Sequence, residues 1–401
     1  VSVLFSLNEV FMHAQVSPEV TERMVAIRRD LHQHPELSGS ESRTAGAVAT
    51  ALRQLGLEPR RAGGYGLIVD LPGQAEGPLV ALRADMDALP IQEETGLPFA
   101  SQVPGVMHAC GHDGHTSMLL GAAQLLLQGP RPPVGVRLLF QPAEENASGA
   151  KALIEAGALQ DVGLIFGGHI DRRYPTGELI INAGPMNAST DQFRIRIIGQ
   201  GGHGARPHEA VDAVMVGSQL VSALQTIVSR ETDPADPAVV TIGSFHAGSA
   251  ANVIAGDATL GGTLRSLQPA TRQHLRAALQ RIAESTGSLL RARVEVTFES
   301  GTPPLVNTPE MTRLARAAAV AVVGEPRVVG LKSTNMGGED FAYYLEHVPG
   351  GFIRFGAGRP EETAYPAHSS RFDFDEDALA IGAAWFAQIA HLAGAHLQQA
   401  R

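Results

Sequence analysis

The strongest constraint on the fold is a change of rhythm in the middle of the chain. Residues Asp191–Gly199 alternate Phe193, Ile195 and Ile197 with Arg194 and Arg196, the period of two expected of a strand with one buried face. Over Glu209–Ser229 apolar residues recur at three- and four-residue steps, which predicts a helix. Ala238–Phe245 and Asp257–Ser266 then read as strands, Thr271–Gly287 as a helix and Arg293–Glu299 as a closing strand. The resulting β-α-β-β-α-β order is the signature of a ferredoxin-like α+β unit.

The flanks read differently. Ser17-Pro18-Glu19 predicts a helix start, running towards His34, and an amphipathic helix follows over about Glu41–Leu55. Short apolar strands at Gly66–Leu71, Leu79–Ala84, Val136–Phe140 and Gly163–Gly168 alternate with helices at Gly114–Gln128 and Gly149–Ala156. After Pro303-Pro304 the alternation resumes, ending in a long helix over about Asp375–Leu397. Such alternation implies an α/β layered sheet. The 401 residues are enough for two cores. The expected organisation is a catalytic domain in two pieces, 13–186 and 304–401, interrupted by a smaller inserted domain at 187–303. An insertion needs its two ends close together, and a ferredoxin-like unit satisfies that.

Composition removes several function classes. The formal net charge is −10 and no dense Lys/Arg run is present, which argues against a nucleic-acid surface. No run of about 18 apolar residues occurs, so no membrane span is expected. The apolar stretch within Val1–Gln15 lacks a basic lead and is broken by Glu9, so it reads as an extension ahead of Met12 rather than a signal peptide. Cys110 is the only cysteine, so no intrachain disulfide can form, and a reducing, cytoplasmic setting is expected.

Cys110 has an unusual neighbourhood. His108, His112, Asp113 and His115 surround it within eight residues, just ahead of a long helix. Thiolate and imidazole two positions apart can converge on one transition-metal ion. Directly after the apolar strand Val136–Phe140 come Gln141-Pro142-Ala143-Glu144-Glu145. Adjacent carboxylates point in different directions, so one can bind metal while the other faces the substrate water; capping of the next helix is the plainer reading. Strand Gly163–Gly168 ends in His169, and His368 lies between loop residues; each gains value only as a member of the set. Gly199–His208 matches the G-x-G-x-x-G pattern of a dinucleotide site. Its helix is expected only after Pro207, no acidic residue follows at the ribose distance, and the order is split βαβ, so NAD is not expected there. The glycines are read instead as keeping the backbone flexible around His203. No G-x-S-x-G elbow is present, which argues against a serine hydrolase.

With these motifs in place, the chain resembles the co-catalytic metallopeptidase-like amidohydrolases, the family of hippurate hydrolase, aminoacylases, carboxypeptidase G and the plant hydrolases of indoleacetyl-amino acids. The likeness runs from Arg29-Asp30-Leu31-His32-Gln33-His34-Pro35-Glu36 through Arg83-Ala84-Asp85-Met86-Asp87, His108–His115, Pro142–Glu145, Gly202-His203-Gly204, Asn252-Val253-Ile254, Gly262–Arg265 and Gly338-Glu339-Asp340 to Ala367-His368-Ser369. Cys110-Gly111-His112 favours the hippurate-hydrolase branch. The resemblance implies a central mixed sheet flanked by helices, with the insertion serving as a lid and dimerisation domain. It implies that Cys110, His112, Glu145, His169 and His368 hold two divalent metal ions, zinc or manganese foremost, with cobalt or nickel as alternatives. Glu144 would be the general base and acid, and Asp87 the carboxylate that orients a ligand. His203, Asn252 and Arg265 would reach the substrate, His203 often coming from the partner subunit of a homodimer or larger assembly. The expected reaction is hydrolysis of an N-acyl amino acid or short peptide. Asp171-Arg172-Arg173 stand where relatives carry apolar residues, which favours a polar substrate over a benzoyl or indoleacetyl one. A metallo-dipeptidase or aminopeptidase, and a non-catalytic binding protein, are the alternatives on the same scaffold.

Overall fold

The computed structural model describes residues 16–299, 301–359 and 365–400; the extension read over Val1–Gln15 lies outside them. In chain order the first elements are α1 (Pro18–Gln33), α2 (Ser42–Gln54), β1 (Arg60–Ala62), β2 (Gly66–Leu71) and β3 (Leu79–Asp85). They are followed by α3 (His112–Gln128), β4 (Val136–Gln141), α4 (Gly149–Glu155), β5 (Val162–Pro175) and β6 (Leu179–Ile180). The middle of the chain supplies β7 (Ser189–Ile198), β8 (Gly202–His203), α5 (Ala213–Leu224), β9 (Ala238–Ala247), β10 (Val253–Ile254), β11 (Asp257–Ser266), α6 (Pro269–Leu289) and β12 (Arg293–Phe298). The last part adds α7 (Pro309–Val323), β13 (Val328–Val329), β14 (Gly350–Gly358) and α8 (Asp377–Gln399).

The chain divides into two compact units. Among the described residues, one holds those up to Gly184, Asn307–Ser333 and those from Tyr343; the other holds those within Pro185–Val306 and Thr334–Ala342. The segment Thr334–Ala342, expected with the outer pieces, therefore falls with the middle one.

In the first unit eight strands form one mixed sheet, ordered β1-β2-β4-β3-β5-β14-β6-β13. The β4-β3-β5-β14 centre is parallel, as expected of strands joined through helices. Within it, β4 is buried along its whole length, which is why Val136–Phe140 reads as an unbroken apolar run. Phe140, Phe166, Phe355, Trp385 and Phe386 are fully buried, each contributing about 1.5–3 kcal/mol by leaving water. Helix α1 starts where Ser17 accepts the Val20 N–H and Pro18 takes the first turn, as the sequence predicts. Helix α8 is apolar and long enough to cross a membrane by composition, but 56% of its apolar window is buried, as in a core helix.

The second unit has its own core around Phe193, Ile195, Ile197, Leu220, Leu260 and Leu279. Its four-stranded antiparallel sheet is ordered β9-β11-β7-β12, the ferredoxin-like arrangement that the element order implies. The helix expected from Glu209 begins only at Ala213. Asp212 accepts the N–H groups of Val214 and Met215 and caps it there, while Pro207–Glu209 form a separate single turn.

Candidate metal centre

Three side chains converge between the end of β3, the start of α3 and the middle of β5. Cys110, His112 and His169 bring one donor atom each to within 4.8 Å of one another. Helix α3 starts at His112, two residues earlier than the sequence pattern suggests, because Gly111 at the cap adopts φ +97° and turns the chain directly into the helix. His112 is thus a helical residue rather than a loop residue. His169 also differs from expectation: it does not end a strand. Gly167-Gly168 resembles a terminator, yet the ladder continues to Pro175, with His169 opposite Arg354 of β14. Gly168 is required by packing, since a Cβ there would lie 2.6 Å from the Phe355 ring.

The hydrogen bonds set which ring nitrogen is free. His112 Nδ1 faces two acceptors, the Asp87 carbonyl at 2.9 Å and Asp87 Oδ1 at 3.1 Å, so Nδ1 carries the proton. Its Nε2 is buried and makes no hydrogen bond among the described residues. His169 Nδ1 donates to the Ile170 carbonyl at 2.7 Å, leaving Nε2 to face Cys110 Sγ at 3.3 Å. Both imidazoles are held as ligands are usually held, by their other nitrogen.

The Glu pair sits on a turn that β4 launches. Ala143 adopts φ +54°, a costly conformation for a residue with a side chain. Its carbonyl accepts the N–H groups of Ser148 and Gly149, and its own N–H donates to Glu41 Oε1 at 2.8 Å. Glu145 N–H donates to Asp87 Oδ2 at 3.0 Å. The Glu145 carboxylate consequently lies 3.9 Å from His112 Nε2 and 3.4 Å from His368 Nε2. His368, itself at φ +67°, is anchored by its N–H to the Ala109 carbonyl. Cys110, Glu145 and His368 form a second trio of converging donors, and Glu144 joins Glu145 and His112 in another.

Burial, reinforced by Glu145, pushes the Cys110 thiol up, so a thiolate there calls for a cation beside it. Burial likewise opposes ionisation of Asp85, but His112, Arg83 and His115 hold its carboxyl well below the usual range. One thiol, three imidazoles and a carboxylate, with a buried lone pair on His112 left unused, fit a divalent transition metal. Two trios sharing Cys110 fit a pair of ions. His115, in a further trio with Asp85 and His112, is spoken for: Nδ1 bonds Asp85 Oδ1 at 2.6 Å and Nε2 accepts the Ile170 N–H at 2.8 Å. Sequence reasoning gave Glu41, Ser38 and Asp85 no role: Asp85 lies inside a motif it singled out, whereas Glu41 was read only as the start of a helix. Ser38 donates to Asp87 at 2.7 Å.

In the second unit, His203 lies not on a flexible loop but in β8, paired with Val253 of β10. Gly204 N–H donates to the Asn252 carbonyl at 2.8 Å, so His203 and Asn252 are neighbours, and a Cβ on Gly204 would lie 3.0 Å from that carbonyl. Ala205 N–H donates to His203 Nδ1, which leaves the proton on the outward Nε2 of an exposed ring. Arg265, on β11, is partly buried, and burial lowers its pKa. The nearby Asp191 is occupied by Arg272 and Arg276.

A mixed α/β sheet bearing such a donor set is the framework of a metallohydrolase. The sequence pattern of peptidase family M20/M25/M40 matches residues 81–392, and the chain belongs to that family. It is 43% identical over 366 residues to a putative amidohydrolase of Bacillus subtilis, YhaA, covering 90% of this chain and 92% of that one. It is 41% identical over 367 residues to the N-acetyl-L-cysteine deacetylase of the same organism, covering 91% and 86%. The solved structure of B. subtilis YXEP, described as a dinuclear metal-binding peptidase of the M20 family, superposes with a TM-score of 0.82 at 36% identity, covering 94% of this chain and 99% of that one.

Proposed function

We propose that the protein hydrolyses the amide bond of an N-acyl amino acid, releasing a carboxylic acid and a free amino acid. The observation that carries the reading is the division of labour between adjacent carboxylates: Glu145 is directed at His112 and His368, while Glu144 stands next to it on the same strained turn. Cys110, His112, Glu145, His169 and His368 would hold two divalent ions, zinc or manganese foremost, with cobalt or nickel as alternatives; bound there, they would polarise the carbonyl and acidify water.

Glu144 accepts the proton of the attacking water on its carboxylate and returns it to the leaving nitrogen. His203, protonated on Nε2, is the hydrogen-bond donor for the developing oxyanion, and Asn252 supports it. Arg265 takes the substrate carboxylate in a two-pronged pair. In this reading the second unit is a lid and dimerisation domain. Support for a homodimer comes from exposed Val214 and Met215 on α5 and Val239 and Phe245 on the edge strand β9. A single free thiol in a metal site suits the reducing cytoplasm.

A dipeptidase or aminopeptidase would need an acidic anchor for a free substrate amine. Asp171, the candidate nearest in sequence to His169, is buried and clamped by Arg173 Nε and Nη2, so its charge is already answered. That favours the acyl substrate. A non-catalytic binding protein would have no use for Glu144 beside a full donor set. The test is Glu144→Gln against a panel of acetyl, benzoyl and peptidyl conjugates. Turnover falls about 100- to 10,000-fold with metal content unchanged; wild-type turnover would refute the assignment.

A further inference from the structure

His115 is the one histidine of the Cys110 cluster that faces the candidate metal centre without a free nitrogen. Its Nε2 accepts the Ile170 N–H at 2.8 Å, so that nitrogen is unprotonated and cannot also bind a metal. The proton is therefore on Nδ1, donated to Asp85 Oδ1 at 2.6 Å. Asp85 is itself immobilised: Arg83 Nη1 holds Oδ2 at 2.7 Å, and Thr116 Oγ1 donates to its carbonyl at 2.8 Å. All four side chains are buried. A neutral imidazole with a defined tautomer thus ends a rigid tether.

What the tether holds is the backbone beside His169. The ladder between β3 and β5 has its last rung at Arg83 and Gly167. Beyond that rung, imidazoles bond both polar groups of Ile170: its N–H goes to His115, and its carbonyl accepts His169 Nδ1–H at 2.7 Å. The carbonyl direction of Ile170 decides where the His169 ring points, and Nε2 of that ring faces Cys110 Sγ at 3.3 Å. The His115 and His169 rings also pack edge to face, with centroids 4.6 Å apart.

We propose that His115 is the positioning residue for His169, acting through the backbone of Ile170 to aim His169 Nε2 at the metal centre. The proposal rests on His169 being a metal ligand, as in the function proposed above. It separates two roles that composition alone merges: of the histidines in the cluster, His112 ligates and His115 aims a ligand contributed by another strand.

The test uses the full chain, stripped of metal and titrated with Zn²⁺ against a chromophoric chelator, with a Co²⁺ absorption spectrum as a second readout. His115→Leu removes the tether and is expected to weaken one of two binding steps by about 10- to 100-fold, leaving the other unchanged. His115→Gln offers the same pair of groups, an oxygen for Ile170 N–H and an N–H for Asp85, and should bind within about threefold of wild type, with a wild-type Co²⁺ spectrum. His169→Ala should weaken the same step as His115→Leu. Should the Leu variant fail to fold, His115→Asn, polar but too short to span both partners, takes its place. Equal weakening of both steps, no weakening, or a Gln variant as impaired as Leu overturns the relay. Weakening in His169→Ala without any in His115→Leu overturns the relay alone, whereas unchanged binding in His169→Ala overturns the ligand assignment beneath it.

Discussion

Glu41 Oε1 accepts the backbone N–H of Ala143 at 2.8 Å, joining residues 102 positions apart. The same oxygen accepts the Gly39 N–H at 2.9 Å, so one buried carboxylate pins both the start of α2 and the strained residue that precedes Glu144. Removing it would leave a buried N–H without a partner, at a cost of about 1–3 kcal/mol. Glu41→Ala should therefore lower kcat more than it raises KM, because the turn carrying Glu144 loosens. Steady-state kinetics read this directly, and an unchanged kcat would count against the connection.

Ala143 itself offers a second check. At φ +54° a β-branched side chain is strained by about 1–3 kcal/mol, whereas glycine is at ease. Ala143→Val should destabilise by that order and depress activity, and Ala143→Gly should stay within about 1 kcal/mol of wild type in urea melts.

Asp87 receives four hydrogen bonds, with Oδ1 and its carbonyl taking His112 Nδ1 and Oδ2 taking Ser38 and the Glu145 N–H. An amide can present an acceptor to only one side. Asp87→Asn should accordingly weaken metal binding about 10- to 100-fold, as measured by chelator competition. Wild-type affinity would show that Asp87 is dispensable to ligand geometry.

His32 gives stability a pH dependence. Burial opposes its charge, but Asp113 at 2.9 Å and Glu93 at 3.3 Å outweigh burial and raise its pKa to about 9. The folded state thus holds a proton that the unfolded chain releases near 6.5. This contribution, on the order of 3 kcal/mol, is complete below pH 6.5 and disappears as pH rises towards 9. Denaturation at pH 6 and pH 9.5 should show the loss in wild type and much less of it in His32→Gln.

Arg265 and the apolar face of α5 test the second unit. Arg265→Lys keeps the charge but loses the two-pronged geometry, so KM should rise about tenfold for acyl amino acids and hardly at all for the corresponding amides. Met215→Glu together with Val239→Lys should lower the sedimentation mass if α5 and β9 form the proposed dimer contact. Unchanged mass places the contact elsewhere.

Much of this was legible in the chain. The period of two in Phe193, Ile195 and Ile197 and the unbroken apolar run of Val136–Phe140 gave their strands, because each pattern follows from which faces are buried. Ligand candidates were legible through density: Cys110 amid three histidines is hard to read as coincidence. Other features have no local signal. Gly168 looks like a strand stop, yet it is dictated by the Phe355 ring on a strand 187 residues later. Nothing in Pro142-Ala143-Glu144 announces a left-handed alanine, since the Glu41 carboxylate that holds it comes from a distant helix start. The tautomers of His112 and His115 follow from Asp87, Asp85 and Ile170, which meet only in the folded sheet. Thr334–Ala342 carries no periodicity at all, so its place with the second unit could not be read.

The position of His169 inside β5, opposite Arg354, has a consequence for what activity measures. Side chains alternate between the two faces of a strand, so a slip of one residue would carry His169 to the far side and bring Gly168 or Ile170 in its place. No intermediate register retains a weakened site. With His169 as the ligand proposed above, a molecule with that error would be inert rather than slow, and specific activity in a preparation would count correctly registered chains, as a headcount rather than an average.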